Sequence, residues 1–202
     1  GTLDIPNEHV ADAVKEAFDA GYRHIDCAMI YRNETEVGQG IAESMKKHNL
    51  KREDIFVTSK LWCDKHDPKE VRKACEDSIK RLGLEYLDLY LIHCPMAFHS
   101  KEGLPEPECL VFEYRKIEDT WIEMEKLVSA GLAKSVGVSN FTISQLERIM
   151  KCGKLVPAVN QIEVNLHCHN TKLVEFCLSK NIQVEAYSIF GSPSLMKEHL
   201  IA

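Results

Sequence analysis

Four residues of this 202-residue chain have the types needed for proton transfer built around a phenol: Asp26, Tyr31, Lys60 and His93. A tyrosine of pKa about 10 is a feeble acid in water. Beside a lysine ammonium its phenolate is stabilised, so Lys60 is expected to draw the pKa of Tyr31 down toward the working pH, as general acid catalysis needs. Asp26 is suited to holding Lys60 in its charged form. His93, with two ring nitrogens, is suited to orienting a carbonyl oxygen without being the acid itself. Plainer readings stand beside these. Asp26 and Lys60 alone make an ordinary structural ion pair, and His93 alone reads as a satisfied histidine until its place at the end of a strongly apolar strand is noticed.

The elements that must carry these residues alternate. Val10, Ala13, Val14, Ala17 and Phe18 recur at helical spacing, with Pro6 and Asn7 as start signals and Gly21 as the stop. A short strand over 22–26 follows, then a helix over about 35–47 with Val37, Ile41 and Met45 on one face, then a strand over 55–58. Asp67, Pro68 and Glu70 supply an N-cap, a first-turn proline and a capping box to a helix bearing Val71, Cys75, Ile79 and Leu82. Residues 87–92 read as the next strand. The stretch from Pro95 to about Lys116, with Gly103, Pro105 and Pro107, has no clear period and is expected to be a long functional loop able to line a pocket. Beyond it come a helix through Trp121, Met124, Leu127 and Val128, a strand over 135–138, a helix over about 143–150, a strand over 158–161, a helix over about 171–180 and a strand over 183–187.

Strands separated by single helices imply parallel pairing with right-handed crossovers. Two α/β architectures satisfy that: a doubly wound open sheet and a (β/α)8 TIM barrel. Reactive types fall at the end of nearly every strand, at Asp26, Lys60, His93, Ser139 with Asn140, Gln161, and Tyr187 with Ser188. A barrel gathers all its strand ends on one face, whereas an open sheet spreads them along a line, so the barrel is the expectation. Six strands fall short of eight. One strand is therefore expected to be missing at each end of a single domain over 1–202, as though the natural chain were longer.

Composition narrows the partners. A net charge of −6 with both signs interspersed leaves no basic footprint for nucleic acid. No apolar run approaches the roughly 20 residues of a membrane span, and no signal peptide pattern opens the chain. Eight scattered cysteines without a C-x-x-C pair suit reduced thiols in the cytosol. His167-Cys168-His169 lacks the further ligands of a zinc site, so no metal is expected. Gly38-Gln39-Gly40 lies within a predicted helix with Glu43 at the third glycine position, which rules out a Rossmann fingerprint.

Five stretches together resemble the aldo-keto reductase family. They are Gly21-Tyr22-Arg23-His24-Ile25-Asp26-Cys27-Ala28 followed by Tyr31; Thr58-Ser59-Lys60-Leu61-Trp62; Tyr86-Leu87-Asp88-Leu89-Tyr90-Leu91-Ile92-His93; Val136-Gly137-Val138-Ser139-Asn140-Phe141; and Asn160-Gln161-Ile162-Glu163. The resemblance implies a catalytic tetrad of Asp26, Tyr31, Lys60 and His93, with hydride transfer from NADPH to a carbonyl carbon while Tyr31 protonates the oxygen. It implies that Ser139, Asn140 and Gln161 grip the nicotinamide amide and that Tyr187 stacks on its ring. Thr2, Leu3, Asp26, Ser188, Phe190 and Ser192 complete the expected cofactor side, and Leu3, Trp62, His93 and Cys94 the substrate side. A small carbonyl compound, a cytoplasmic monomer and no nucleic-acid or membrane partner follow as expectations.

The departures from the family pattern are as informative. Leu3 stands where a tryptophan often follows Gly-Thr, and Cys94 where the family commonly has Trp before Pro95. Both changes enlarge the substrate side and point away from flat aromatic aldehydes. Cys94 reads as a small packing residue, since no base is evident beside it. Near the end, Ile189 and Phe190 replace a Pro-Leu pair, and the positions that would bind an adenosine 2′-phosphate are absent, so NADPH rests on the resemblance alone. The alternative to an enzyme is a catalytically weak or inactive barrel retained as a cofactor-binding regulatory or structural protein.

Overall fold

The computed structural model describes residues 1–100 and 110–191. Among the described residues, six helices of at least nine residues alternate with strands: α1 (Asn7–Asp19), β1 (His24–Asp26), α2 (Glu34–His48), β2 (Phe56–Leu61), α3 (Pro68–Leu82), β3 (Leu87–Ile92), β4 (Ala97–Ser100), β5 (Leu110–Glu113), α4 (Ile117–Ser129), β6 (Ala133–Ser139), α5 (Ile143–Cys152), β7 (Val159–Glu163), α6 (Thr171–Ser179) and β8 (Gln183–Tyr187). Short 3-10 turns at Met29–Tyr31, Arg52–Asp54 and Cys63–Lys65 punctuate the loops.

Strand order follows chain order. β1, β2, β3, β6, β7 and β8 form one sheet in that sequence, and every neighbouring pair is parallel. A doubly wound sheet would reverse direction at a switch point; none occurs here. The sheet is also strongly curled. β1 and β7 are four strand spacings apart, about 19 Å on a flat sheet at about 4.8 Å per step. Yet Gln161 Nε2 on β7 donates to Asp26 Oδ2 on β1 at 2.8 Å. Such a contact requires the sheet to wrap around an interior, as the barrel expectation demanded.

The curl divides the apolar residues. Every position of β3 is buried, as a parallel strand covered on both faces should be. Tyr90 and Ile92 join the main core, where the helices pack their apolar stripes: Val10, Val14 and Phe18 of α1, Val37 and Ile41 of α2, Trp121 and Met124 of α4. Leu89, Leu91 and Val159 form a small separate cluster on the inner face. The helices approach closely where side chains vanish. A Cβ on Gly38 would lie 2.4 Å from the carbonyl oxygen of Leu82, and one on Gly40 2.8 Å from that of Ala11, so the glycine pair serves helix packing. One buried charge stitches these layers together: Glu34 accepts from Ser59 Oγ at 2.6 Å and pairs with Arg81 at 2.7 Å.

Two expectations are corrected. The stretch taken for an irregular loop contains β4 and β5, an antiparallel pair whose Phe98 and Phe112 rings meet edge to face at 6.3 Å. Four-residue strands are too short to show a period, and Gly103, Pro105 and Pro107 between them lie outside the described residues. At the start of α3, Asp67 Oδ1 accepts from Lys69 N at 3.0 Å and Pro68 opens the helix, but Glu70 turns to Lys65 Nζ at 3.4 Å instead of closing a capping box. A full box is found on α5, between Thr142 and Gln145. No helix among the described residues is long and apolar enough to cross a membrane.

Candidate active site

Parallel strands deliver their C-terminal residues to one rim. Asp26 closes β1, Lys60 is the last but one residue of β2, His93 follows β3, Ser139 closes β6, and Tyr187 closes β8. They meet at a cavity of about 830 Å³, within the range of small-molecule sites. Leu3, Asp26, Tyr31, Trp62, His93, Ser139, Asn140, Gln161, Tyr187 and Ser188 all line it, together with Glu185.

Lys60 is fully buried beneath the cavity, and three oxygens hold its ammonium. Its Nζ lies 2.7 Å from Asp26 Oδ1, 3.0 Å from the Cys27 carbonyl and 3.3 Å from Tyr31 Oη. Burial works against this charge, but Asp26 and Tyr31 outweigh it and hold the Lys60 pKa above its usual value. Tyr31 sits at the end of a 3-10 turn that the N-terminal segment steadies. Thr2 donates from its backbone to Asp26 O at 3.1 Å, while Asn33 Nδ2 donates to Thr2 O at 2.7 Å.

The phenol behaves differently from the sequence expectation. Burial pushes the Tyr31 pKa up, and the Lys60 ammonium only partly offsets it. A spacing pattern reveals the neighbour but not the desolvation. At neutral pH Tyr31 therefore holds its proton firmly, and any phenolate formed there meets a cation at 3.3 Å. His93 packs edge to face against Tyr31 at 5.8 Å and against Trp62 at 5.0 Å. Burial, reinforced by Lys60, lowers its pKa to about 4. His93 is thus neutral at physiological pH, able to donate one hydrogen bond but carrying no acidic proton.

Across the cavity, polar side chains hold one another. Asn140, at φ 63°, donates from Nδ2 to the His93 carbonyl at 2.9 Å and accepts at Oδ1 from Tyr187 Oη at 2.8 Å. Ser139 Oγ donates to Gln161 O at 2.8 Å. Gln161 Nε2 bridges Asp26 Oδ2 and Glu185 Oε2, each at 2.8 Å. Its Oε1 has no partner among the described hydrogen bonds, so it remains open to a donor.

Some expected residues stand apart. Thr2 is buried behind the cavity rather than on its wall. Phe190 is 63% exposed and outside the lining, and Ser192 lies outside the described residues. Cys94 is half-buried just behind the wall, 3.6 Å from Asn140 Nδ2. Two residues were missed. Glu185 alternates inward with Tyr187 on β8, a period-two signal that was available. Cys63 directly follows Trp62 as Cys94 directly follows His93, and β2 and β3 pair Leu61 with Ile92, so both thiols stand two residues past the same rung.

A family model described as "Aldo/keto reductase family" matches residues 1–201. Estradiol 17 beta-dehydrogenase 5 of Mus musculus is 48% identical over 194 residues, covering 94% of this chain and 60% of that protein. Aldo-keto reductase family 1 member A1-A of Danio rerio is 47% identical over 197 residues, covering 96% and 61%. The chain thus spans about 60% of the length of these curated relatives. Among solved structures, the aldose reductase of Schistosoma japonicum superposes with a TM-score of 0.90 at 44% identity, covering 98% of this chain and 68% of that one. A Bombyx mori aldo-keto reductase in complex with NADP gives 0.84 at 43% identity, covering 92% and 58%. Aldose reductases are (β/α)8 barrels, and the curled six-stranded parallel sheet described above is part of this architecture. With the model matched along nearly its whole length, the chain belongs to the aldo/keto reductase family.

Proposed function

We propose that this chain reduces aldehydes or ketones to alcohols with NADPH, and that Tyr31 supplies the proton. The observation that carries the reading is the Asp26–Lys60–Tyr31 cluster beside a neutral His93, set in one cavity with an amide-rich wall. That wall fits a nicotinamide. Gln161 Oε1 is open to an amide donor, Ser139 and Asn140 offer further polar atoms, and Tyr187 lines the same space. When bound, the reduced nicotinamide supplies a hydride to the carbonyl carbon.

The protein's own residues do the rest. His93 donates a hydrogen bond that fixes the carbonyl oxygen, and Tyr31 transfers its phenolic proton to that oxygen as negative charge develops there. Lys60 steadies the phenolate left behind, and Asp26 keeps Lys60 charged. Trp62 and Leu3 border the substrate side, with Leu3 56% exposed and Cys94 withdrawn behind the wall. That leaves room for aliphatic or irregular carbonyl compounds. The NADP named for the Bombyx mori relative supports the cofactor. Seven cysteines are free among the described residues, which suits a reducing cytosolic compartment; we assign a monomer acting there on small molecules.

The test pairs binding with turnover. Trp62 lines the cavity whereas Trp121 is fully buried, so NADPH binding should quench Trp62 fluorescence. Consumption of NADPH with small aldehydes should follow. Tyr31→Phe should keep the quenching and lose turnover. Equal loss of both would make Tyr31 structural, and no nucleotide binding by the folded wild type would overturn the reading.

A further inference from the structure

Outside the tetrad, one pair of nucleophilic side chains sits where the chemistry takes place without taking part in it. Cys63 and Cys94 lie two residues beyond the register partners Leu61 and Ile92, directly after Trp62 and His93. Each thiol is the other's principal side-chain neighbour in their electrostatics. The ladder continues past that rung through the bond from His93 N to Leu61 O at 3.1 Å, and at a strand spacing of about 4.8 Å continued register would put the two residues inside the Cα window of roughly 4.4 to 6.8 Å that a disulfide requires. Both are free thiols, Cys63 fully buried and Cys94 half-buried.

We propose that Cys94 and Cys63 form a peroxide-responsive dithiol, with Cys94 attacking the oxidant and Cys63 resolving the product to a disulfide behind the active site. The division of roles follows from the contacts. Asn140 Nδ2 donates toward the Cys94 sulfur at 3.6 Å, whereas no such amide reaches Cys63 among the described hydrogen bonds. A donor on this sulfur favours its anion. Cys63 is buried, which favours its thiol. Cys94 is also the more accessible of the two.

The step balances with a peroxide as co-reactant. The Cys94 thiolate attacks one peroxide oxygen, the O–O bond breaks, and hydroxide leaves, giving a sulfenic acid. Cys63 sulfur then displaces the sulfenic oxygen as water, with its own proton and one from solvent accounting for the hydroxide and the water. Two thiols are oxidised by two electrons and one peroxide is reduced. A dithiol restores the pair by exchange.

Disulfide formation withdraws the sulfur that Asn140 Nδ2 contacts. That same amide holds the His93 carbonyl and, through Oδ1, Tyr187. The cross-link should therefore disturb the wall on which the proposed reduction depends, so its effect on turnover rests on that reading. The cross-link itself does not.

Its test is therefore read on covalent chemistry. The purified chain is treated with hydrogen peroxide, alkylated, digested and mapped by mass, in parallel with Cys94→Ser and Cys63→Ser. We expect a Cys63–Cys94 linked peptide short by two hydrogens, restored by dithiothreitol, absent from Cys94→Ser, and replaced in Cys63→Ser by a sulfenic acid on Cys94 that dimedone traps. Oxidation of Cys94 straight to sulfinic acid in the wild type, or its linkage to any other cysteine, would overturn the proposal. The wild-type map alone decides between these, so a variant that folds poorly does not blur the result. A linked pair with no NADPH-dependent turnover in the reduced protein would uphold the dithiol and count against the reductase.

Discussion

Lys60→Met removes the centre of the tetrad while nearly preserving its volume, and the geometry sets what it should do. The ammonium attracts a Tyr31 phenolate across 3.3 Å, an interaction of about 5 kcal/mol at an effective dielectric of about 20. Water entering the vacated space recovers part of this. A loss of about 10²- to 10³-fold in kcat is the expectation, within the range for removing support from a general acid. The pH profile should move with it. The proposed carbonyl reduction needs Tyr31 protonated, so the rate should fall as pH rises through its pKa. Without Lys60 the main influence lowering that pKa is gone, and the alkaline fall in rate should shift to higher pH even as the maximum drops.

Stability changes in the same variant by a separate route. Breaking a buried pair leaves Asp26 without its cation, a cost of about 3 to 5 kcal/mol. The lower figure applies because Asp26 keeps its bond from Gln161 and is 22% exposed. In the wild type the Lys60 pKa is raised above 10.5. Its contribution is therefore complete below about pH 10.5 and is lost as pH rises through the folded-state value. Stopped-flow rates from neutral to alkaline pH, alongside urea unfolding, measure both effects. A lowered rate with an unmoved alkaline limb would refute the pairing of Lys60 with the phenol.

Further outcomes follow from buried groups elsewhere. His66 is 2% exposed and burial alone lowers its pKa from 6.5 to about 4. The shift is worth about 3 kcal/mol at about 1.4 kcal/mol per unit. That stability is complete above pH 6.5 and is lost as pH falls toward 4, and urea midpoints across this range should flatten in His66→Phe; an unchanged slope would show that other groups drive it. Gly38→Ala should destabilise despite the helix-propensity gain of up to about 1 kcal/mol. The new Cβ meets backbone at 2.4 Å, which no rotamer change relieves, and overpacking of this kind costs about 1 to 3 kcal/mol. A urea midpoint at or above that of the wild type would contradict the packing described for α2 and α3.

How far the chain could be read in advance depended on which physical quantity each feature expresses. β3 and β8 carry their bounds openly, since Leu87–Ile92 and Gln183–Tyr187 are compact runs between helix signals. β1 was placed two residues early because Tyr22 and Arg23 look strand-like, yet Tyr22 N bonds back to Ala17 O and closes α1. The convergence of Asp26, Lys60 and His93 was legible because strand ends in a barrel must meet, and Tyr31 follows five residues after Asp26 on the adjoining turn. The direction of the Tyr31 pKa was not, because burial comes from the whole fold rather than from a neighbour. Cys63 escaped for a related reason. The proposed partner follows the neighbouring strand, and only the rung between Leu61 and Ile92 shows that the two residues stand at matching positions.

The bond from Gln161 to Asp26 gives the site a second duty. Polar groups arrayed for function commonly weaken a protein, so stability and activity trade against each other. Here the amide that faces the cavity also fastens β7 to β1 across the interior and stands between two carboxylates, Asp26 and Glu185. Trimming it to enlarge the pocket would remove a direct tie between β7 and β1 and leave two carboxylates without the donor they share. The usual trade-off is inverted at this residue: a more permissive site would be a less stable one.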